Sequence, residues 1–289
     1  EGWHTGRYAM ATPQGLLDWR DDKDTGQEGL PDTASLEKDA RREIHLTATF
    51  ALESSLLIRS ESGTGTSPDM VHLRSKRNGK SAPAPVLSGT SLAGVIRGRA
   101  MRIANTILGV KIGDDLVDDM FGRRIESNED IPSGSRIIVK ETELNGGNAN
   151  LVQNRVKIDR FTGGAYPTAL FSQQPVWSTA SNQATFKLDL KLRCPQLPED
   201  EESAKRTQAT FEAEAGLMLL VLKDLWTGDL PLGGESSVGR GRLKGLSANI
   251  KYDGQTWELA GTDSLTLSGT GKPETLEKFV KALTDWSPV

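Results

Sequence analysis

The sequence predicts an α+β protein built around an antiparallel sheet. Short segments alternate between apolar and polar residues, as half-buried strands do because successive side chains point to opposite faces. Longer segments repeat apolar residues every three or four positions, as helices with one buried face do. The third observation is order: a strand, a helix, further strands, a second helix and a last strand follow one another along the chain.

Alternation is clearest in two of the predicted strands. The segment from Ile44 to Glu53 places an apolar residue at every second position. Phe186 to Arg193 alternates in the same way, with charged residues between the apolar ones. Both segments therefore predict strands with one buried and one exposed face. The other predicted strands are 135–139, 155–158 and 246–252.

Two amphipathic helices are predicted between these strands. Leu92 to Ile107 has helical spacing, and Ser88, Thr90 or Ser91 can cap its amino terminus by accepting from free backbone amides. Phe211 to Leu225 predicts the second helix. The resulting βαββαβ order predicts a ferredoxin-like (RRM-like) palm with both helices on one face of the sheet. The other face is available for a ligand, and many RNA-binding modules use this arrangement.

The rest of the chain is organised around this palm. Residues 1–42 are rich in Asp, Gly and Pro and predict an acidic extension or linker with one short helix, 43–260 form the core, and 261–289 form a closing helical segment. Glycine, serine and proline dominate 60–88, which is too long for a hairpin turn and is expected to be functional or flexible. The chain begins with Glu1, which suggests a segment of a longer polypeptide.

Composition excludes several classes of protein. No run approaches the roughly eighteen apolar residues that a membrane helix needs, so no membrane partner is expected. Cys194 is the only cysteine and the three histidines are scattered, so neither an internal disulfide nor a zinc site is expected. The single cysteine also favours a reducing compartment, and we expect the protein in the cytoplasm.

Charge is unevenly distributed along the chain. The net charge is −4, yet Met70–Gly113 contains eight basic residues and no acid. These bases are Arg74, Lys76, Arg77, Lys80, Arg97, Arg99, Arg102 and Lys111. Such a strip predicts a local site for a polyanion. A solvated loop followed by an ordinary helix face explains the same pattern equally well.

The densest motif is the glycine-rich stretch Gly233–Gly245, with five glycines and three bases in thirteen residues. Without a Cβ, backbone amides can approach phosphate oxygens, and Arg240, Arg242 and Lys244 would supply countercharge. The alternative is a mobile loop. Nucleotide-binding loops fit poorly, because Arg240-Gly241 replaces the Lys and Ser or Thr of a Walker loop and Lys244 replaces the third glycine of the dinucleotide pattern. The repeated phosphates of a nucleic acid fit better.

Four segments, in this order, resemble motifs of one family. Ser88–Arg97 resembles its glycine-serine helix start, Met120–Gly122 a phenylalanine-glycine signature, Ile158–Ala165 the start of its thumb hairpin, and Gly233–Gly245 its carboxyl-terminal glycine-rich loop. The family is the RAMP superfamily of CRISPR RNA-binding proteins, specifically the backbone (guide-RNA-binding) subunit or domain of type III effector complexes. The resemblance covers about residues 43–252.

The resemblance implies a ferredoxin-like palm, a thumb around residues 145–185 and a guide RNA held along the palm. Further implied partners are the target single-stranded RNA and neighbouring CRISPR effector subunits or fused domains. Ala93 stands where the family often has lysine, so guide contact there is expected to shift to Arg97 or Arg99. The implied RNA-binding residues are Arg74, Lys76, Ser91, Arg97, Arg99, Arg160, Phe161, Thr162, Ser237, Arg240 and Arg242.

The resemblance also implies a cleavage residue. Slicing members of the family require one aspartate in the loop after the first strand, together with a divalent cation such as Mg²⁺, and Asp69 is the matching residue. Its carboxylate could hold the cation or help a 2′-hydroxyl attack the adjacent phosphate, with Arg74 or Lys76 stabilising developing charge and His72 assisting.

Three interpretations of function stay open. In the first, the domain binds guide RNA and cleaves complementary target RNA through Asp69. In the second, Asp69 only forms a turn and the domain is a non-catalytic, structural guide-RNA-binding subunit. In the third, the chain is a guide-precursor processing endoribonuclease of the same superfamily, which needs a positioned acid and base, and His45 is the candidate.

Overall fold

The computed structural model describes residues 13–21, 23, 42–60, 68–76, 82–123, 133–261 and 265–287. The chain forms two compact units, Glu1–Ala40 and Arg41–Val289. The helices are α1 (Pro13–Arg20), α2 (Gly89–Leu108), α3 (Val110–Phe121), α4 (Glu201–Trp226) and α5 (Pro273–Thr284). The strands are β1 (Glu43–Leu52), β2 (Ser55–Leu56), β3 (Arg59–Ser60), β4 (Met70–His72), β5 (Arg74–Ser75), β6 (Ala84–Leu87), β7 (Ile137–Val139), β8 (Thr142–Glu143), β9 (Gln153–Ile158), β10 (Ala165–Gln174), β11 (Val176–Trp177), β12 (Thr185–Arg193), β13 (Leu243–Tyr252), β14 (Gln255–Ala260) and β15 (Thr266–Gly269).

The palm is a six-stranded sheet of the second unit, in the order β15-β14-β13-β1-β12-β7. Every neighbouring pair in it is antiparallel. The first strand, β1, lies between β12 and β13, and β12 separates it from the edge strand β7. This order, with a helix after β1 and another after β12, is the ferredoxin-like arrangement. The predicted α+β fold with an antiparallel sheet is therefore confirmed.

One face of the sheet is apolar and covered by helices. In β1, Leu46, Ala48 and Phe50 are buried, whereas the polar residues between them are half-buried on the other face. Ile96 of α2 and Met218 of α4 pack around the same point as Leu46. Both predicted helices therefore lie on one side of the palm, and the polar face of β1 remains open.

The helix α2 begins where the sequence predicts. The amide of Ser91 donates to Oγ of Ser88 at 3.2 Å, so the serine satisfies one of the free amides of the first turn. Leu92, Ile96 and Ala100 are buried at four-residue spacing. Ser88 forms the predicted cap. Of the predicted apolar face, Leu92 and Ile96 are buried, whereas Ile107 at the end of the helix is exposed.

Two strands, β14 and β15, extend the palm beyond the predicted pattern, and α5 lies in the segment predicted to form a closing helix. Trp257 in β14 is fully buried, and its Nε1 donates to the carbonyl of Lys272 at 3.0 Å, just before α5. The helix α5 packs on α4, where a Cβ at Gly216 would lie 2.1 Å from the Phe279 carbonyl oxygen. The strand β15 lies within 261–289, for which only a helix was predicted. All four of its residues are exposed, so alternation could not reveal it.

A buried ion pair joins α4 to the edge of the sheet. Glu214 of α4 is fully buried, and both of its carboxylate oxygens accept from Arg136, which precedes β7. Burial raises the pKa of Glu214, and the hydrogen bonds from Arg136 oppose that rise. Arg136 also donates to the carbonyl of Arg193 at 3.1 Å. The pair therefore leaves no unpaired charge in this part of the core.

Among the described helices, none combines the length and apolarity that crossing a bilayer requires.

Candidate RNA interface

A long hairpin formed by β9 and β10 lies within residues 145–185, where a thumb is expected, and we call this hairpin the thumb. Its tip is the turn 159–164, in which Oδ1 of Asp159 accepts from the amide of Phe161 at 3.1 Å and Oδ2 accepts from Oγ1 of Thr162 at 2.9 Å. These bonds lower the pKa of Asp159. Such an aspartate turn fixes the backbone, and it leaves the ring of Phe161 99% exposed and Arg160 exposed beside it.

Apolar side chains are also exposed along both strands of the hairpin. Val156, Ile158, Tyr166 and Leu170 are each about half exposed or more. A two-stranded hairpin is marginally stable alone, and a surface of this kind marks a contact with another molecule. The thumb is therefore a candidate contact surface, and its tip is the most exposed apolar point of the described chain.

Asp69 lies at the base of this thumb. The strand β4 pairs in parallel with β10, which brings Met70 opposite Gln173 and Asp69 beside Ser172. Oδ2 of Asp69 accepts from the amide of Ser172 at 2.7 Å and from its Oγ at 3.0 Å, and the amide of Asp69 donates to that Oγ at 3.0 Å. The hydrogen bond from the Ser172 amide contributes most to lowering the pKa of this exposed carboxyl group. Asp69 is therefore ionised at neutral pH and held in one orientation.

The other residues assigned to the cleavage site differ in accessibility. Lys76 is exposed, and Arg74 is exposed while its guanidinium donates to the carbonyl of Ala149 at 2.7 Å. His72 is 2% exposed, accepts from the amide of Ile58 at Nδ1 (3.2 Å) and donates from Nε2 to the carbonyl of Val86 (3.1 Å). The expectation that His72 assists cleavage is wrong, because its ring is enclosed and both nitrogens are engaged.

Buried His72 predicts a specific dependence of stability on pH. Burial lowers its pKa to about 4, below the unfolded value of 6.5, so the folded protein keeps the neutral ring where the unfolded chain binds a proton. Stability is retained above pH 6.5 and falls as the pH drops toward 4, by up to about 3 kcal/mol. Urea unfolding between these pH values measures it. The variant His72→Gln should show a shallower pH dependence, and an unchanged slope would contradict this assignment.

The glycine-rich stretch is anchored to the thumb by buried polar contacts. Glu235 accepts from Arg240 at 2.9 Å and from Arg155 of β9 at 2.8 Å, both at Oε2, while its Oε1 accepts from Gln173 of β10 at 2.5 Å. Arg240 is 3% exposed and also donates to Gln153 of β9 at 2.6 Å. We call Gln153, Arg155, Gln173, Glu235 and Arg240 the stem cluster.

The stem cluster changes the role of Arg240. The sequence predicted that this arginine contacts RNA phosphates, but its guanidinium lies in the interior, donates to Ser55 Oγ at 3.0 Å and stacks over Trp177 with its Cζ 5.4 Å from the ring centroid. Its charge is balanced by Glu235, whose pKa is lowered because the hydrogen bond from Gln173 and the nearby guanidinium charges outweigh burial. Arg240 is a structural residue, and the stretch is not a free loop.

The outer part of the stretch remains accessible. Ser236–Val238 form one turn of 3₁₀ helix with every residue exposed, including Ser237, and Gly239 ends it in the left-handed region (φ 82°). Gly241, by contrast, is needed inside, because a Cβ there would lie 1.8 Å from the Leu232 carbonyl oxygen. Gly241 therefore allows close packing against Leu232, whereas Gly239 allows the backbone to end the exposed turn.

Three basic side chains lie near one another at the end of α4, at α2 and after the glycine-rich turn. Arg242 is 55% exposed, 3.4 Å from Glu53, and Arg99 of α2 pairs with buried Asp224 of α4 at 2.6 Å. Asp229 accepts from the hydroxyl of Thr227 at 2.6 Å, and its pKa is lowered by that bond first and then by the charges of Lys223, Arg99 and Arg242. Lys223, Arg99 and Arg242 are thus all near the carboxylate of Asp229. Lys223 also pairs with Asp224 at 3.3 Å, so Glu53, Asp224 and Asp229 balance the charge of these three residues. We call Arg99, Lys223 and Arg242 the cationic patch.

The remaining predicted RNA-binding residues of α2 point elsewhere. Arg97 is half-buried and pairs with Asp118 of α3 at 2.5 Å, with its guanidinium 6.0 Å from the ring centroid of Phe121. Oγ of Ser91 accepts from Ser88 at 2.8 Å. Arg97 thus contacts α3, whereas Arg99 contacts α4. The basic residues that are close in sequence therefore do not form one continuous strip on this helix.

The described residues contain no group of three or more His, Cys, Asp or Glu side chains that could form a complete metal site. The acids of α3 are used otherwise: Asp114 accepts from Asn105 at 3.0 Å and Asp119 pairs with Arg123 at 3.0 Å. Asp69 still fits a divalent cation, because Mg²⁺ is commonly held by one or two carboxylates together with substrate phosphates and waters. Oδ1 of Asp69 makes no hydrogen bond to the described residues and is the oxygen that could hold it.

Sequence reasoning missed the residues that position this site. Ser172 lies 103 residues from Asp69, and Glu235 lies 62 residues from Gln173. Lys223 was also missed, since a lysine in the last turn of a helix is ordinary in sequence. No local pattern signals contacts at such separations.

Comparison with known proteins adds independent evidence. A family model described as the RAMP superfamily matches residues 53–244, about two thirds of the chain, and this range contains α2, the thumb and nearly all of the glycine-rich stretch. No curated protein matches the sequence. Because the family model covers most of the chain and the palm has the ferredoxin-like order, the chain belongs to the RAMP superfamily of CRISPR-associated RNA-binding proteins.

Proposed function

We propose that this chain is a guide-RNA-binding backbone unit of a type III CRISPR effector complex and that it cleaves complementary target RNA through Asp69. The observation that carries the proposal is the position of Asp69, an exposed and ionised carboxylate fixed to the base of the thumb by Ser172. A carboxylate at the foot of the hairpin would lie near an RNA strand that runs along the hairpin toward the palm.

The thumb and the cationic patch support RNA as the ligand. An exposed aromatic ring such as that of Phe161 can stack on a base, and unpaired bases are the usual target of such rings. Arg160 beside it and Arg242 in the cationic patch offer guanidinium groups to phosphates. The exposed turn at Ser237 offers hydroxyl and amide donors to the same backbone. The partners are then guide RNA, target RNA and neighbouring effector subunits or fused domains.

Asp69 can act as a general base in the cleavage step. Its carboxylate takes the proton of a ribose 2′-hydroxyl, the 2′-oxygen forms a bond to the adjacent phosphorus, and the bond from phosphorus to the 5′-oxygen breaks. Water supplies the proton that the 5′-oxygen takes, which leaves a 2′,3′-cyclic phosphate and a 5′-hydroxyl. Lys76 or Arg74 would stabilise the charge on the phosphate. In the alternative, a divalent cation held at Oδ1 of Asp69 would supply Lewis-acid stabilisation of that same charge; because Oδ2 is engaged by Ser172, Asp69 would then act as a ligand and not as the base.

Assembly of the complex around this chain tests the proposal. With a guide of known sequence, neighbouring subunits and Mg²⁺, we expect a nuclease-protected guide and a cut in complementary RNA at a fixed distance from the guide end, with a 5′-hydroxyl product. Protection of the guide without any cut assigned to this unit would favour the non-catalytic, structural role. Absence of guide protection would contradict the proposal as a whole.

A further inference from the structure

The stem cluster contains a residue whose position has no explanation in packing alone. Glu235 is not glycine, yet its backbone lies in the left-handed region with φ 63°. A non-glycine residue is sterically disfavoured there, and the contacts of the Glu235 side chain offset that cost. Those contacts are the three hydrogen bonds to Arg155, Arg240 and Gln173.

The contacts of Glu235 lead directly to Asp69. Gln173 of β10 is fully buried and is gripped by the glycine-rich stretch from two sides, through Oε1 of Glu235 at 2.5 Å and through the Arg240 guanidinium at 3.1 Å. The preceding residue, Ser172, faces the opposite side of the strand and makes the three hydrogen bonds that orient Asp69. Two consecutive residues of β10 therefore make these contacts: Gln173 binds the glycine-rich stretch, and Ser172 binds Asp69 on the opposite side of the strand.

We infer that Glu235 is a positioning residue that holds the thumb base, and thereby the Asp69 carboxylate, in fixed register with the exposed turn of the glycine-rich stretch. The effect of Glu235 on catalysis rests on the proposed function. Its effect on the position of Ser172 and Asp69 rests only on the contacts described above. The hydrogen bonds of Glu235 and Arg240 to Gln173 fix the position of β10. This keeps the amide and hydroxyl of Ser172 within hydrogen-bonding distance of Asp69. RNA seated on the turn at Ser237 is then aligned with Asp69.

The variant Glu235→Gln tests this coupling, because it keeps the shape of the side chain but removes the charge that holds two guanidinium groups. Amide hydrogen exchange of the guide-free chain is the first readout. We expect protection of the Ser172 amide to fall by about tenfold or more, while amides of β1 and β12 keep their protection, since local opening changes exchange only where it occurs. A merely structural role would lower protection throughout the palm. Equal loss in all strands, or no loss at Ser172, would overturn the inference.

Single-turnover cleavage in the assembled complex is the second readout. We expect Glu235→Gln to slow cleavage by about tenfold while target binding stays within about twofold, since the residue orients a carboxylate and does not contact RNA. Glu201→Gln is the matched control, because Glu201 is an exposed acid paired with Lys205 on α4. If the unaltered complex does not cut while Ser172 still loses protection, the proposed cleavage fails and the coupling stands. Unchanged cleavage in a complex that cuts would overturn the catalytic meaning of the coupling.

A second variant covers the case in which Glu235→Gln does not fold. Gln173→Met has similar volume and removes the link between the glycine-rich stretch and β10, together with the longer contacts of Gln173 to Arg155 and Met70, while leaving Glu235 paired with Arg155 and Arg240. The same local loss of protection at Ser172 is expected. Full protection there in a folded Gln173→Met variant would contradict the proposed route.

Discussion

Replacing Asp69 by asparagine should abolish target cleavage at the position served by this unit, by at least about 100-fold, with guide and target binding unchanged within about twofold. Asparagine can still accept the hydrogen bond from the Ser172 amide, so the base of the thumb keeps its geometry. It carries no charge and cannot take a proton from a 2′-hydroxyl. Single-turnover cleavage and filter binding on the same assembled complex measure the two quantities separately.

A matched control is available for this substitution. Asp200 is also an exposed aspartate that accepts a backbone amide, that of Ser203 at 2.8 Å, and its pKa is lowered mainly by this bond. It caps α4 rather than the thumb base, so Asp200→Asn should leave cleavage unchanged. Cleavage at the mapped position that survives Asp69→Asn would remove Asp69 from the mechanism.

The second large effect is on stability. Arg136→Met should lower the free energy of unfolding by about 3–5 kcal/mol, because it leaves the fully buried Glu214 carboxylate without its partner. The variant should regain part of its stability relative to the unaltered protein at low pH. A group whose folded pKa is raised stabilises the fold below the unfolded pKa and loses that contribution as the pH rises. Urea unfolding at pH 5 and pH 8, on both proteins, measures the difference.

Lys140→Met is the control for that prediction. Lys140 is 57% exposed and pairs with Asp189 at 2.8 Å on the surface, where an ion pair is worth roughly 0–1 kcal/mol. A loss of about 1 kcal/mol or less is expected there. Equal effects of Arg136→Met and Lys140→Met would show that burial of Glu214 does not determine the cost.

Local pattern was sufficient to predict four of the six strands of the palm and both helices that cover it. The alternation in β1 and β12 follows from one buried face, and the serine cap of α2 lies beside the helix that it starts, so both are visible within a short window of sequence. The hairpin that turns at Asp159–Gly164 was expected only from the resemblance of Ile158–Ala165 to the start of a thumb, although the contacts that fix the turn are local. Elements whose causes are local were predicted correctly.

The site could be predicted only in part, because its contacts join distant segments. Asp69 was chosen from the resemblance, and its position beside Ser172 depends on the pairing of β4 with β10. Arg240 was assigned to phosphate because an arginine among glycines gives no sign of a buried carboxylate partner five residues earlier. Composition predicts which residues can bind a polyanion, but only the fold decides which of them face solvent.

The binding of single-stranded RNA by the purified chain, measured as a function of salt, tests the central claim most directly. Because Arg160, Lys223 and Arg242 are expected to replace counterions along the RNA backbone, the logarithm of the association constant should fall linearly with the logarithm of salt concentration. Substitution of Phe161 by alanine should weaken binding by about 1–3 kcal/mol at every salt concentration without changing that slope. A chain that binds no single-stranded RNA at about 50 mM salt would contradict the account.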